Sequence, residues 1–196
     1  RLIIPFDAVA TRERLEEIKV VQLKGTVRFF SANNVNDVVI TWESLKRLKY
    51  VEQTPRTAFI SLLIRDHGWD QRDNRVVALS GNDLTFSQNF NYAMILSNLI
   101  PLMEDGFEIG KREDTTVKST PCYRITVKRT GRPPINLFFD KESNQLVKAD
   151  FEGRFVGGAT NTFVEFYFSD YRVIDGVKHW RRQEQWRDGK QYDELS

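Results

Sequence analysis

A mostly β, antiparallel fold with one buried helix is predicted by three features of the 196-residue chain. Apolar residues recur with a period of two over most of its length, and the connectors between these runs are short and rich in turn residues. One segment alone is apolar around most of a helical circumference. Ala8 to Ile18 predicts a short N-terminal helix, with Val9, Leu15 and Ile18 as its apolar positions. From Val21 the period becomes two: Val21, Leu23, Gly25, Val27 and Phe29 alternate with Gln22, Lys24, Thr26 and Arg28. The turn cluster "SANNVND" follows, and then runs led by Val38, Ile40 and Trp42, by Leu48 and Tyr50, and by Ala58, Ile60, Leu62 and Ile64. "RDHGW" turns the chain, and Arg75 to Leu79 supplies a partner strand.

"TFSQNFNYAMILSNLIPLMEDG" is the helical exception. Thr85 and Gln88 have the spacing of a capping box, and Ile95, Leu96, Leu99 and Ile100 widen the apolar sector far beyond one stripe. Pro101 disfavours helix at Ile100, so the helix is expected over about residues 85–100 and buried on all sides. Strands are then expected at Phe107–Arg112, Cys122–Arg129, Ile135–Asp140, Gln145–Phe151, Thr162–Tyr171 and Val177–Arg187, with a last stub from Lys190. Between them lie "RTGRPP", "DKESNQ", "IDG" and "RDGK", the last holding an Asp-Gly pair suited to a tight hairpin. Ile135, Leu137 and Phe139 share one parity, Val147, Ala149 and Phe151 the next, and Phe138 and Leu146 sit on the opposite faces. Either both faces are buried by other structure, or one lines a cavity for an apolar ligand. If Val177–Arg187 is one unbroken strand, Trp180 and Trp186 fall on the same face.

The length fits one domain over residues 1–196 and is enough to bury a core without disulfides or metals. Twenty-nine basic against 27 acidic residues leave a net charge of +2, which argues against a nucleic-acid partner. The interleaved aromatics and arginines of "KHWRRQEQWR" are compensated by neighbouring Glu184, Asp188, Asp193 and Glu194 and read as a solvated face. No apolar run approaches the ~18 residues that cross a membrane as a helix. Cys122, alone, can neither close an intramolecular disulfide nor build a thiolate metal cluster.

Catalytic chemistry has no foothold in this pattern. His67 and His179 are the two histidines, and neither has a second ligand at metal-binding spacing. The carboxylate pairs Asp70/Asp73, Glu104/Asp105 and Glu113/Asp114 lie in or near turns. There is no G-x-S-x-G and no Gly-rich phosphate loop before a helix. No catalytic residue, metal or cofactor is expected, and the chain reads as a non-enzyme.

The ordered set "PLMEDGFEIG", "CYRITVKRTGRPPINLFFDKESNQLVKADF", "VEFYFSDYRVIDGVKHW" and "WRDGKQY" resembles the LolA-like, outer-membrane lipoprotein-sorting family. The likeness is greatest to its uncharacterised exported branch, with a "GRP…LYFDKETGLLVK…YYSDYKEVDGVK…YRDGK" pattern. It runs from about Leu99 to Tyr192; earlier, only the layout of "ISLLIRDHGWDQRDNRVVAL" agrees. The resemblance implies a deeply curved, incomplete antiparallel β-barrel whose concave side, closed by helices, holds an acyl chain or lipoprotein lipid. It also implies a periplasmic or cell-envelope location and a possible membrane-associated protein partner. Where the family carries an apolar "GVKLPTKIVVYRDGK", this chain has "GVKHWRRQEQWRDGK", so Gln183 and Gln185 should make the cavity more polar or narrower.

On this reading the protein is an exported carrier or binder of a lipid, lipoprotein or other hydrophobic ligand. The lining residues expected are Phe90, Met94 and Leu99 on the helix, facing Leu137, Phe139 and Phe166 on strands. The alternative is an exported structural or regulatory interaction module on the same scaffold, its cavity filled by its own helix and loops.

Overall fold

A computed structural model describes residue 10, residue 15, residues 17–154 and residues 161–196. The first half is a meander of six strands: β1 (Val21–Phe29), β2 (Asn34–Glu43), β3 (Arg47–Gln53), β4 (Ala58–Ile64), β5 (His67–Arg72) and β6 (Arg75–Ala78). Helix α1 (Gly81–Leu96) follows, with a 3-10 turn at Ile100–Met103. The second half holds β7 (Glu108–Ile109), β8 (Glu113–Val117), β9 (Thr120–Lys128), β10 (Ile135–Asp140), β11 (Leu146–Arg154) and β12 (Asn161–Ser169). After these come β13 (Arg172–Ile174), β14 (Val177–His179), β15 (Arg182–Arg187) and β16 (Lys190–Leu195). The helix expected over Ala8–Ile18 falls mainly outside the described residues; within it Leu15 and Glu17 are helical and Leu15 is buried.

Fourteen strands make one sheet in the order β6-β5-β4-β3-β2-β1-β16-β15-β12-β11-β10-β9-β7, with β8 also paired to β9. Every pairing in it is antiparallel, and its two ends do not pair with each other, so it is an incomplete barrel. The two meanders meet where β1 takes β16 as neighbour, Val27 opposite Leu195. Residues of one parity from both halves (Val38, Ile40 and Trp42; Ile135, Leu137 and Phe139; Val164, Phe166 and Phe168) are buried with the second half of α1 in one core.

The other face of the second half is covered by its own polar ladder. Thr126 Oγ1 donates to Asn136 Oδ1 at 2.7 Å, and Asn136 Nδ2 to Asp150 Oδ1 at 2.8 Å. Lys148 Nζ then bridges Asp150 at 3.0 Å and Glu165 at 2.7 Å, and lies 4.9 Å from the centre of the Phe138 ring. Lys148 and this hydrogen-bonded row thus shield Phe138, which is why apolar residues can stand on both sides of β10.

Two details of this region differ from the sequence reading. Helix α1 begins four residues before Thr85, at Gly81, with Ser80 in the N-cap position and Asp83 in the favourable first turn. Thr85 is therefore interior, and its hydroxyl donates back to the Gly81 carbonyl at 3.0 Å instead of capping. The helix ends at Leu96 because Leu99 takes a left-handed backbone (φ 61°) and Pro101 follows in the 3-10 turn.

Val177–Arg187 is not one strand. It breaks at Trp180–Arg181, where the Arg181 amide donates to the Ser169 and Asp170 carbonyls. Each side of the break keeps its own parity, so Trp180 packs inward on Phe168 (ring centres 5.4 Å) and Trp186 faces outward on Tyr167 (6.2 Å). The two indoles lie on opposite faces. The "IDG" and "RDGK" connectors form tight hairpins as expected, with Asp175, Gly176, Asp188 and Gly189 all at positive φ.

Gly68 lets the start of α1 approach β5. A Cβ there would lie 2.8 Å from Leu63 Cδ2 and 3.0 Å from methyl groups of Leu79 and Leu84. Gly68→Ala is expected to cost about 1–2 kcal/mol by crowding three side chains, measured by urea unfolding.

Candidate functional site

Helix α1 is buried unevenly along its length. Tyr92 to Leu96 are enclosed on every side, while Phe86, Ser87, Phe90 and Asn91 are only half-buried. The reason is lateral: α1 packs mainly on the second half of the sheet, against β11 above all, and meets the first half chiefly near β5 among the strands of the meander. Between its near side and the inner faces of β1–β5, β15 and β16 lies a cavity of about 560 Å³. That is within the size range of small-ligand sites.

On its helical side Phe86, Phe90 and Met94 are apolar. The sheet wall is mixed, with apolar Val27, Ile40, Phe59 and Leu195 beside polar Tyr50, Glu52, Asp70, Gln183, Gln185 and Asp193. Asn36 Nδ2 donates to Glu52 Oε1 at 2.6 Å and the Tyr50 hydroxyl to Glu52 Oε2 at 3.0 Å. Burial, and then Glu52, push the Tyr50 phenol well above its ordinary range. Gln185 bridges two charges when its amide nitrogen faces Asp193 (2.7 Å to Oδ2) and its oxygen faces Arg187 (2.6 Å to Nε). Burial raises the Asp193 carboxyl to about 7, although Arg187 pulls the other way. The same burial lowers the Arg187 guanidinium, which lies 3.3 Å from the centre of the Tyr192 ring.

Two acceptors on this wall have no hydrogen-bond partner among the described residues: Asp70 Oδ1 and Gln183 Oε1. A buried acceptor left unpaired costs about 1–3 kcal/mol, so a ligand bringing hydrogen-bond donors there would gain by pairing them. The polar character expected from Gln183 and Gln185 is present. Asp70, Asp193 and Glu52 extend it.

Of the six lining residues expected from sequence, Phe90 and Met94 border this cavity. Phe166 stands directly behind Phe90, the ring centres 5.5 Å apart edge to face. Leu99, Leu137 and Phe139 lie with Phe166 in the packed core, each at most 1 % exposed. His67 is exposed beside Trp69, and His179 is held below its ordinary pKa by burial. Among the carboxylates of the turns, Glu113 pairs with Arg124 and Asp114 with Lys141 at 2.8 Å. Among the described residues no group of three or more His, Cys, Asp or Glu is placed to hold a metal ion.

Solved structures share this architecture from end to end. A LolA superfamily protein from Nitrosomonas europaea aligns over 100 % of this chain and 91 % of its own, at a TM-score of 0.59 and 11 % identity. The fold is LolA-like. A DUF1329 family protein from Desulfovibrio piger aligns over 93 % of this chain and 85 % of its own, with TM-score 0.61 and 13 % identity. No protein-family model and no curated protein matches the sequence. At such identities the likeness is one of backbone, and the lining of the cavity has to be read from this chain. Within the LolA-like frame, α1 occupies the concave side of the sheet, and the cavity lies between it and the first meander.

Proposed function

We propose that the protein is a non-enzymatic binder or carrier of a hydrophobic ligand, an acyl chain or lipoprotein lipid, held between α1 and the first meander. The observation that carries this reading is the cavity of about 560 Å³ with Phe86, Phe90 and Met94 on its helical side. The LolA-like fold supports it, as does the asymmetric packing of α1, which leaves its near side half-buried. Phe90 and Met94 contact the ligand; Leu99, Leu137, Phe139 and Phe166 form the packed bed that holds the helix in place. Methionine adapts its shape to varied apolar partners, which suits Met94 to a site whose filling changes. The same reading implies an envelope location and a membrane-associated partner that receives the ligand.

Each buried methylene contributes about 0.8 kcal/mol, so a chain of about twelve carbons brings about 10 kcal/mol. Association costs offset part of that, and a micromolar dissociation constant corresponds to about 8 kcal/mol. A fluorescent fatty-acid probe should therefore bind the delipidated protein in the micromolar range. Met94→Leu, which keeps volume and apolarity, should retain both fold and uptake. Met94→Asp places a carboxylate against Phe90 and should abolish uptake. If the intact protein takes up no acyl probe at micromolar concentration, the scaffold is an interaction module instead.

A further inference from the structure

A second pocket, of about 280 Å³, opens on the other flank of α1. Its floor is the helix, at Gln88, Asn91, Tyr92 and Ile95, and its far side is the turn between β9 and β10. That turn, Arg129-Thr130-Gly131-Arg132, closes with the Arg132 amide donating to the Arg129 carbonyl at 3.1 Å. Gly131 has a φ of 76°, which lets so tight a turn form. Two guanidiniums three residues apart are thereby brought to one pocket, across from the Tyr92 ring.

Tyr92 is only 3 % exposed, and its hydroxyl has no hydrogen-bond partner among the described residues. Nor has Arg129 Nη1, which is buried at the atom. Its nearest carboxylate, Glu104, stays 4.0 Å away and is held by the Ser44 hydroxyl. Arg132 is steadied by Gln88, whose Oε1 accepts from Nη1 at 3.0 Å. Burial lowers the Arg132 guanidinium, Asp66 supports its charge and Arg129 opposes it. Burial likewise pushes the Tyr92 phenol up to about 12, against the pull of both arginines. Lys46, Arg47 and Arg65 add cations to the rim, against the carboxylates of Asp66 and Glu104. Donors without hydrogen-bond acceptors, converging under an excess of positive charge, are what a bound oxyanion requires.

We propose that the pocket formed by Tyr92, Arg129 and Arg132 binds a phosphate group, with the Tyr92 hydroxyl and Arg129 Nη1 donating to its oxygens and Arg132 supplying charge. The group is either free phosphate or the head of a phosphorylated amphiphile; Asn91 borders both this pocket and the apolar cavity. The site does not depend on acyl binding, because inorganic phosphate has no tail.

Thermal unfolding at constant ionic strength tests it. Sodium phosphate should raise the midpoint relative to chloride, by about 3–5 °C per tenfold excess above saturation. Tyr92→Phe should leave the midpoint in chloride unchanged or higher, since it deletes an unpaired buried hydroxyl, while raising the phosphate needed about tenfold. Arg129→Gln should do at least as much to phosphate binding. Decyl phosphate acting at tenfold lower concentration than both phosphate and decanol assigns the site to an amphiphile's head group; equal potency with phosphate assigns it to the free ion. The proposal is overturned if neither phosphate nor decyl phosphate exceeds chloride. It is equally overturned if Tyr92→Phe destabilises the protein in chloride and leaves the phosphate response intact.

Discussion

Phe166→Ala is expected to destabilise the protein by about 3–5 kcal/mol, the usual cost of emptying a buried aromatic site. Phe166 is fully buried, and its ring meets those of Phe90, Phe151 and Phe168 at centre distances of 5.5, 6.4 and 6.4 Å. These contacts tie α1 to β11 and β12, so the loss falls on the packing between helix and sheet. Phe90→Ala should cost less stability, because Phe90 is half-buried, but should weaken acyl-probe binding more. Urea unfolding and probe titration on the two variants separate a residue that supports the helix from one that touches ligand. If Phe90→Ala leaves probe affinity unchanged, the cavity is not where the ligand sits.

The second large effect is one of pH. The Asp193 carboxyl keeps its proton to about pH 7 in the folded protein, whereas an unfolded aspartate releases it near 3.9. Between those values the native state binds more protons than the unfolded one. The contribution of Asp193 to stability is therefore fully present below about pH 3.9 and is lost as pH rises through about 7. Asp193→Asn removes this titration and keeps a partner for Gln185. Relative to Asp193→Asn, the unmodified protein should lose on the order of 2–3 kcal/mol between pH 5 and pH 7.5 in urea unfolding. An unchanged difference between the two proteins across that range would place the Asp193 charge in a stable pair with Arg187.

Much of this architecture was legible because the local chemistry and the global fold agree. The alternation from Val21 to Phe29 became β1 with Val27 inward, and "IDG" and "RDGK" became hairpins. Strand β8 escaped notice for a physical reason: "EDTTV" has no apolar alternation, and its hairpin turn uses Lys118 and Ser119 at positive φ in place of glycine. The parity error at Trp180 arose from a strand break made by backbone bonds to Ser169 and Asp170, partners distant in sequence. Of the lining expected from the sequence, Phe90 and Met94 border the cavity while Leu99, Leu137, Phe139 and Phe166 lie in the core, and Gln183 and Gln185 belong to its polar lining. Asp70 and Asp193 could not be placed in that lining until the register of β5 and β16 was known. Tyr92 sits in an apolar helix and "RTGR" in a turn; only the fold sets one across from the other.

The pairing of β1 with β16 has a kinetic consequence. Val27 and Leu195 meet across nearly the entire described chain, so this contact is strongly non-local. Closing so long a loop is entropically unfavourable before any of its pairings form, and high contact order slows folding. The first meander is built from neighbour-to-neighbour hairpins, the second from hairpins with β13–β14 inserted between β12 and β15, and both can assemble early. The seam at β1–β16 is then the late step. Until β16 is in place β1 keeps one edge unpaired, and in that interval the edge is open to a chaperone or to mispairing.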